Sequence, residues 1–385
     1  QDKSNNKNDS DNVNNDSHFT YKEDIMMNTQ RLEKVLKKME TEGLDQMIIS
    51  DPYAIYYLTG RFIDPGERLL ALYINQSGKN KIFINNLFTV PEDLGVEKFR
   101  FSDTDDYLTP LCDCVEAGKP LGIDKTFAAR FLIPVIDHSG ASSYKVSSIC
   151  VDEVRACKDD EEREKMRAVS AINDKAMAQF RGLIHEGVTE EEIASKMLDI
   201  YKSLGADGYS FEPLVGFGAN CALGHHGPDD TVLKEGDTVL FDVGCRKDGY
   251  CADMTRTFFY KKVPSEKHRA IYETVRRANA AAEAILKPGV PLCEVDKAAR
   301  QIIEDAGYGP NFTHRLGHFI GLEVHEYGDV SSANTKVAEV GNIFSIEPGI
   351  YVEGEVGVRI EDLVLITEDG CEILNSFSKE LDIVE

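Results

Sequence analysis

Two aspartates stand where strands normally hold apolar side chains. In TVLFDVGCRKDGYCADMTRTFFY, the β-type runs TVLFDVG and CADMTRTFFY flank a Lys247-Asp248-Gly249 turn, as in a hairpin. Asp242 lies in the first run and Asp253 in the second, among apolar or β-branched neighbours. An unpaired carboxylate in a strand core costs several kcal/mol in lost hydration. Either a cation waits there, or both side chains face solvent from an outer strand face; the two runs alone fit both. The segment HRLGHFIGLEVHE adds His314, His318 and His325, three of the nine histidines, interleaved with Gly317 and Gly321. Neutral imidazole serves as a metal ligand and as a proton shuttle, and glycine lets backbone approach a site closely. Glu347 in IFSIEPGIY and Glu361 in VGVRIEDLVLITEDG again break strand-like apolar runs, though each alone also fits a solvated face.

Together, Asp242, Asp253, His318, Glu347 and Glu361 are four carboxylates and one imidazole. Such an oxygen-rich set suits hard or borderline ions such as Mn²⁺, Co²⁺ or Zn²⁺, unlike the thiolate sets of structural zinc. Four carboxylates exceed the need of one ion, and two ions about 3.5 Å apart would share and activate one water. His225 and His226 stand side by side in VGFGANCALGHHGPDD. Adjacent residues of an extended chain face opposite ways, so one of them can enter a site, and His226 is expected as an exposed loop residue.

The elements that must hold these residues read as two domains, as the length of 385 residues suggests. Residues 1–26 are polar and low in complexity and are expected to be a disordered tail or an added segment. From Asn28, the spacing of Leu32, Val35, Leu36 and Met39 predicts a helix stopped by Gly43. MIIS, ALYIN and KIFINN read as strands, and DPYAIYYLTG as a short helix ending at Gly60. Alternating short elements up to about residue 150 suggest a small α/β domain. The acidic entry CKDDEEREKMRAV then opens a long amphipathic helix and marks the domain boundary. A second helix is expected after Thr189, whose spacing to Glu192 fits a capping box. Two more are expected at about 265–287 and 292–306. Strands and turns over about 211–260 and 312–374 make the second domain α+β, with an antiparallel sheet.

Composition narrows the partners. A net charge of −24 argues against nucleic acid and against an anionic membrane surface, both of which need clustered Lys and Arg. No apolar run is long enough to span a bilayer, and the first residues lack the apolar core of a signal peptide. The nine cysteines form no CxxC pair and read as buried, inert thiols in a reduced cytoplasm.

In this order, ALGHH, LFDVGCRKDGYCADMTRTF, HRLGHFIGLEVHE, SIEPGIY and VRIED resemble the motifs of the pita-bread metallopeptidases. That family comprises methionine aminopeptidase, prolidase, aminopeptidase P and the metal-free relative creatinase. The likeness covers about residues 27 to 375, and DPYAIYYLTGRF resembles the creatinase/prolidase N-terminal domain, which methionine aminopeptidase lacks. The resemblance implies an α+β fold in which a creatinase-type domain over 27–155 precedes a pita-bread catalytic domain over 156–385. It implies that Asp242 holds one ion, that Asp253 and Glu361 bridge two, and that His318 and Glu347 bind the second. Mn²⁺ is the leading ion, with Co²⁺ or Zn²⁺ as alternatives. His225 would contact substrate, although Gly224 replaces the family's usual proline; His325 would steady the carbonyl oxygen; Arg359 would support the carboxylates; and Glu347 would take the proton of the attacking water.

The implied substrate is a proline-containing peptide cleaved before proline, and the implied assembly is a homodimer. Overall size and motif likeness favour a Xaa-Pro dipeptidase. Aminopeptidase P is the main alternative; methionine aminopeptidase and a non-catalytic binding protein stand further off. Asp329 occupies the position where some prolidases place an arginine, and Gly328 resembles the aminopeptidase P pattern; His225 or Arg359 could instead receive the carboxylate of a dipeptide.

Overall fold

The computed structural model describes residues 26–224 and 226–385. The expected tail therefore lies outside the described residues except for Met26, and His225 lies outside them too. Helix α1 (Thr29–Thr41) starts where the Asn28 side chain accepts the backbone N–H of Arg31, and it buries Val35 and Met39. Helix α2 (Pro52–Thr59) is capped by Asp51, begins with proline, and ends at Gly60, whose φ of 69° few other residues adopt. Helices α3 (Leu108–Cys114), α4 (Ala129–His138) and α5 (Ile149–Ala156) complete the helices of this half. They flank a six-stranded mixed sheet whose spatial order is Glu97–Phe101, Lys81–Asn85, Leu70–Asn75, Gln46–Ile49, Pro120–Ile123, Ser143–Val146.

The second half opens with α6 (Asp160–Arg181), where Asp159 and Glu162 form a capping box that closes the exposed N–H groups of the first turn. Helix α7 (Glu190–Ser203) repeats the device with Thr189 and Glu192. Helices α8 (Glu266–Ile285) and α9 (Leu292–Asp305) follow at the expected places. Strand Thr238–Val243 pairs antiparallel with Met254–Tyr260, and Leu214–Phe217 flanks it on the other side. A five-stranded antiparallel sheet runs in the order Glu326–Val330, Gly317–Phe319, Ile343–Ile346, Asp362–Ile366, Cys371–Ile373. Gly349–Val352 pairs with Val356–Arg359. The sheets are antiparallel as expected apart from one pairing, Phe259–Tyr260 beside Ile383–Val384, which runs parallel.

One hydrophobic cluster runs through both halves, from Val35 and Ile55 through Val151 and Val154 to Met166, Phe241 and Ile320. A second lies between α8, α9 and the five-stranded sheet, with Ile271, Val295, Phe344 and Val364 in it. All nine cysteines are free, but the expectation of buried thiols needs correcting. Cys112, Cys150, Cys221, Cys245 and Cys251 are buried, while Cys114, Cys157, Cys293 and Cys371 are half-buried because they lie at helix or strand margins and in connections. Among the described residues no helix is long and apolar enough to cross a membrane.

Candidate metal centre

The hairpin delivers both aspartates to one side. Asp242 is paired across the sheet with Thr255, and Asp253 sits two residues before that threonine. In a strand, residues two apart share a face. Strand Gly317–Phe319 brings His318, the end of Ile343–Ile346 brings Glu347, and the link between Val356–Arg359 and Asp362–Ile366 brings Glu361. All five side chains line one open cleft of about 1120 Å³, together with His314, His325, Tyr351 and Arg359. Close packing makes this convergence possible: a Cβ at Gly317 would stand 1.8 Å from the carbonyl oxygen of Ser345, so only glycine lets the His318 strand lie so near.

Asp253, His318 and Glu361 are buried, and each offers a ligand atom within 4.8 Å of the others'. His318 Nε2 lies 3.5 Å from Asp253 Oδ2 and 3.6 Å from Glu347 Oε1, too long for good hydrogen bonds. His318 Nδ1 is 3.3 Å from the Phe319 carbonyl oxygen, which can only accept, so the proton belongs on Nδ1 and Nε2 turns a lone pair toward the carboxylates. Asp242 Oδ1 and Asp253 Oδ1 are buried without a hydrogen-bond partner. Acceptors facing acceptors across such gaps fit a cation, which would satisfy the orphaned oxygens and the imidazole lone pair together.

The electrostatics agree. Burial, then the charges of Asp242 and Glu347, push the Asp253 carboxyl well above the usual carboxylate range. Burial, then Asp253 and Glu347, do the same to Glu361. Arg359, buried and held charged, is the counterweight within the chain. It donates to Asp242 Oδ2 at 2.6 Å, to the Tyr351 hydroxyl at 2.9 Å and to Thr255 Oγ1 at 3.1 Å. The Thr255 hydroxyl in turn donates to Glu361 Oε2 at 2.7 Å. Ser345 plays the matching part opposite: its Oγ accepts the His318 backbone N–H at 3.0 Å and donates to Glu347 Oε1 at 3.2 Å. Thr255, Ser345 and Tyr351 were absent from the sequence-based set, although Thr255 stands two residues after Asp253 and Ser345 two before Glu347.

His325 lies at the cleft with its ring centroid 4.3 Å from that of His318. Desolvation, then His318 and Arg315, lower its pKa to about 4, so the ring is neutral at pH 7. The next residue anchors it. Glu326 accepts from Arg155 at 2.7 Å, from Lys158 at 2.9 Å and from the Leu322 backbone N–H at 2.9 Å. These cations hold its carboxyl down at about 2 despite burial.

Two expectations change here. His226 is not an exposed loop residue: its side chain is 9% exposed, and Nε2 meets Glu190 Oε2 at 2.5 Å. Glu190 is fully buried and also receives the Phe217 and Asp229 backbone N–H groups, so the imidazole completes a loop anchor. Arg359 is not a free cation for a substrate carboxylate, because its three donor nitrogens are all engaged by Asp242, Tyr351 and Thr255.

Known proteins resemble this arrangement over nearly its full length. Residues 164–368 match the family model of metallopeptidase family M24, and residues 31–157 match that of the creatinase/prolidase N-terminal domain. An uncharacterised peptidase of Staphylococcus saprophyticus is 37% identical over 354 residues, covering 91% of this chain and all of the relative. The crystal structure of a dipeptidase from Pyrococcus horikoshii superposes with a TM-score of 0.85 at 34% identity, over 92% of this chain and all of that one. The prolidase of the same organism gives 0.83 at 30% identity, over 91% of this chain and 99% of that one. These likenesses bear out the pita-bread fold. With a family model matching more than half of its length and a cleft built of buried carboxylates and imidazole, the chain belongs to metallopeptidase family M24.

Proposed function

We propose that the protein is a Xaa-Pro dipeptidase whose two divalent ions are held by Asp242, Asp253, His318, Glu347 and Glu361. One observation carries the reading: five acceptor side chains converge on one cleft, with two buried carboxylate oxygens left unpartnered. Mn²⁺ fits this carboxylate-rich set best, and Co²⁺ or Zn²⁺ would also be accepted. When bound, the ions polarise the scissile carbonyl and make the attacking water more acidic. Glu347 then accepts the proton of that water at a carboxylate oxygen. Neutral His325 donates a ring N–H to the carbonyl oxygen as it gains charge. Arg359, Thr255 and Ser345 keep the carboxylates and His318 aimed while charge moves. The bond before proline has no N–H to grip, so the ring must be recognised by shape. The apolar wall of Phe211, Pro213, Leu214, Leu223 and Val324 offers that shape.

Dipeptide length is supported by the dipeptidase and prolidase among the similar structures. Two features that favour a longer substrate lose their force. Asp329 accepts from Ser331 Oγ at 2.6 Å and does not line the cleft, so its charge does not oppose a carboxylate there. Gly328 has φ 110°, and a Cβ there would meet the Phe319 ring at 2.7 Å, so packing requires it whatever the substrate. The free thiols fit the proposed reducing cytoplasm, and the assembly proposed is a homodimer. The test compares kcat/KM for a Xaa-Pro dipeptide with that for its tripeptide extension, with Mn²⁺ and after chelation. Dipeptide preference that disappears with the metal is expected; equal or faster tripeptide cleavage would replace the reading with aminopeptidase P.

A further inference from the structure

We infer that Glu190 and His226 position the cleft wall that receives the proline ring, with Glu190 as a fixed, buried acceptor and His226 as the tie that holds the wall to it. The inference rests on the Xaa-Pro reading of the cleft and names what keeps the cleft in shape. The wall is the loop between strand Leu214–Phe217 and strand Thr238–Val243, and Ala222, Leu223, Gly224, His226, Gly227 and Pro228 of that loop line the cleft.

Glu190 gathers this loop from both ends. It opens α7, where the unpaired N–H groups of a first turn favour negative charge. Its Oε1 accepts the Phe217 backbone N–H at 2.7 Å and the Asn220 side-chain amide at 3.0 Å, on the way into the loop. Its Oε2 accepts the Asp229 backbone N–H at 3.2 Å, on the way out, and His226 Nε2 at 2.5 Å, close to the tip. A carboxylate can only accept, so the imidazole carries its proton on Nε2. Four donors on two oxygens explain how a fully buried acid is tolerated at this point.

The tip needs the tie because packing does not hold it. A Cβ on Gly224 or Gly227 would meet no atom within 4 Å, and Leu223 is 46% exposed. The backbone closes one turn within the tip, from the His226 N–H to the Leu223 carbonyl at 3.2 Å. That turn fixes the tip to itself, whereas the His226 ring fixes it to the protein. The return leg is secured separately, by the Glu190 N–H on the Thr231 carbonyl and the Glu191 N–H on the Asp229 carbonyl. Loss of the His226 donor therefore frees the tip while the proposed metal ligands, which lie on other elements, stay where they are. A freed wall must be ordered again at each binding event, and that cost falls on affinity more than on the chemical step.

The experiment uses the Mn²⁺-loaded protein. It reads kcat and KM for Ala-Pro and Ala-Ala, inhibition by free proline, and Mn²⁺ affinity by calorimetry. In His226→Leu, KM for Ala-Pro and the inhibition constant of proline should rise about tenfold, with kcat within about threefold and Mn²⁺ affinity unchanged. His226→Gln, whose amide N–H can stand in for Nε2–H, should remain within about threefold of the wild type on every count. Leu223→Ala combined with His226→Leu should cost less than the two separate losses multiplied, because both act through the same wall. An unchanged KM in His226→Leu overturns the inference and leaves the proposed function standing. Weakened Mn²⁺ binding in that variant also overturns it, since the loop would then serve the metal centre. Equal defects in His226→Gln and His226→Leu overturn it as well, by making the imidazole itself the working group, and so do fully independent losses in the double variant. A wild type that cleaves Ala-Ala as readily as Ala-Pro overturns the Xaa-Pro reading and the inference with it.

Discussion

Asp253 is both a liability and the centre of the site. One of its oxygens faces the lone pair of His318, and the other has no partner at all. Replacing it by asparagine relieves the crowding among carboxylates but offers one neutral acceptor where a shared charge is needed. Asp253→Asn is therefore expected to lower kcat/KM more than about 100-fold at saturating Mn²⁺, while the metal-free variant melts above the metal-free wild type. Calorimetry with and without metal, alongside turnover, checks both signs; wild-type turnover would remove Asp253 from the proposed ligands. His325→Ala should lower kcat more than it raises KM, because the charge that His325 would meet exists only in the transition state. Unchanged kcat with raised KM would instead make it a simple binding residue. At this scale the acids were readable in the sequence because carboxylates do not belong in apolar strands. Thr255 and Ser345 were not, since hydroxyls are ordinary in strands and only the fold reveals what they touch. His226 was misread because a loop residue is exposed by default, and its partner Glu190 lies 36 residues away.

Among the elements, strand Glu326–Val330 shows how a catalytic loop is pinned. Glu326 is depressed from its ordinary 4.5 to about 2 by Arg155 and Lys158. A carboxyl depressed on folding contributes stability above its unfolded pKa and loses it as pH falls toward the folded value. The contribution is therefore complete above about pH 5 and fades between about 4.5 and 2, amounting to roughly 3 kcal/mol over that span. Glu326→Gln should lower stability by about 3 to 5 kcal/mol at neutral pH, since it leaves buried cations short of a partner. Urea titrations at pH 7 and pH 4 should find that gap narrower at pH 4; a constant gap would contradict the charge pairing. Helix positions were legible because their signals are local: the acids crowding the first turn of α6 and the pair Thr189 with Glu192 announce two starts within a few residues each. The parallel pairing of Phe259–Tyr260 with Ile383–Val384 was not, because its partners are separated by more than a hundred residues and nothing local specifies them.

The two halves of the whole molecule share their interior. The cluster that holds Val35 and Ile55 also holds Met166 and Phe241, and charges bridge the same boundary, with Arg31 on Asp159 at 2.8 Å and Lys336 on Glu153 at 2.6 Å. Arg155 of α5 reaches Glu326 beside His325, so the first half helps set the geometry of the second. A chain restricted to residues 157–385 should lose cooperative unfolding and bind a hydrophobic dye, because strand Glu326–Val330 loses its packing against α5 and the shared cluster is cut open. A sharp melt without dye binding would mean the catalytic half folds alone. The acidic entry to α6 was visible in the sequence as a change of composition, but the continuity of packing across it was not, since apolar side chains on both sides look alike until they are placed together. Arg359 has a consequence at this scale as well. It grips Asp242 and, through Thr255, Glu361 from within the protein, so the proposed ligands are arranged before any ion arrives. A pocket assembled in advance asks little of its ion beyond giving up its hydration shell. Which divalent ion fills it would then follow the supply of free metal in the cell, and a change in that supply would retune the enzyme without altering the protein.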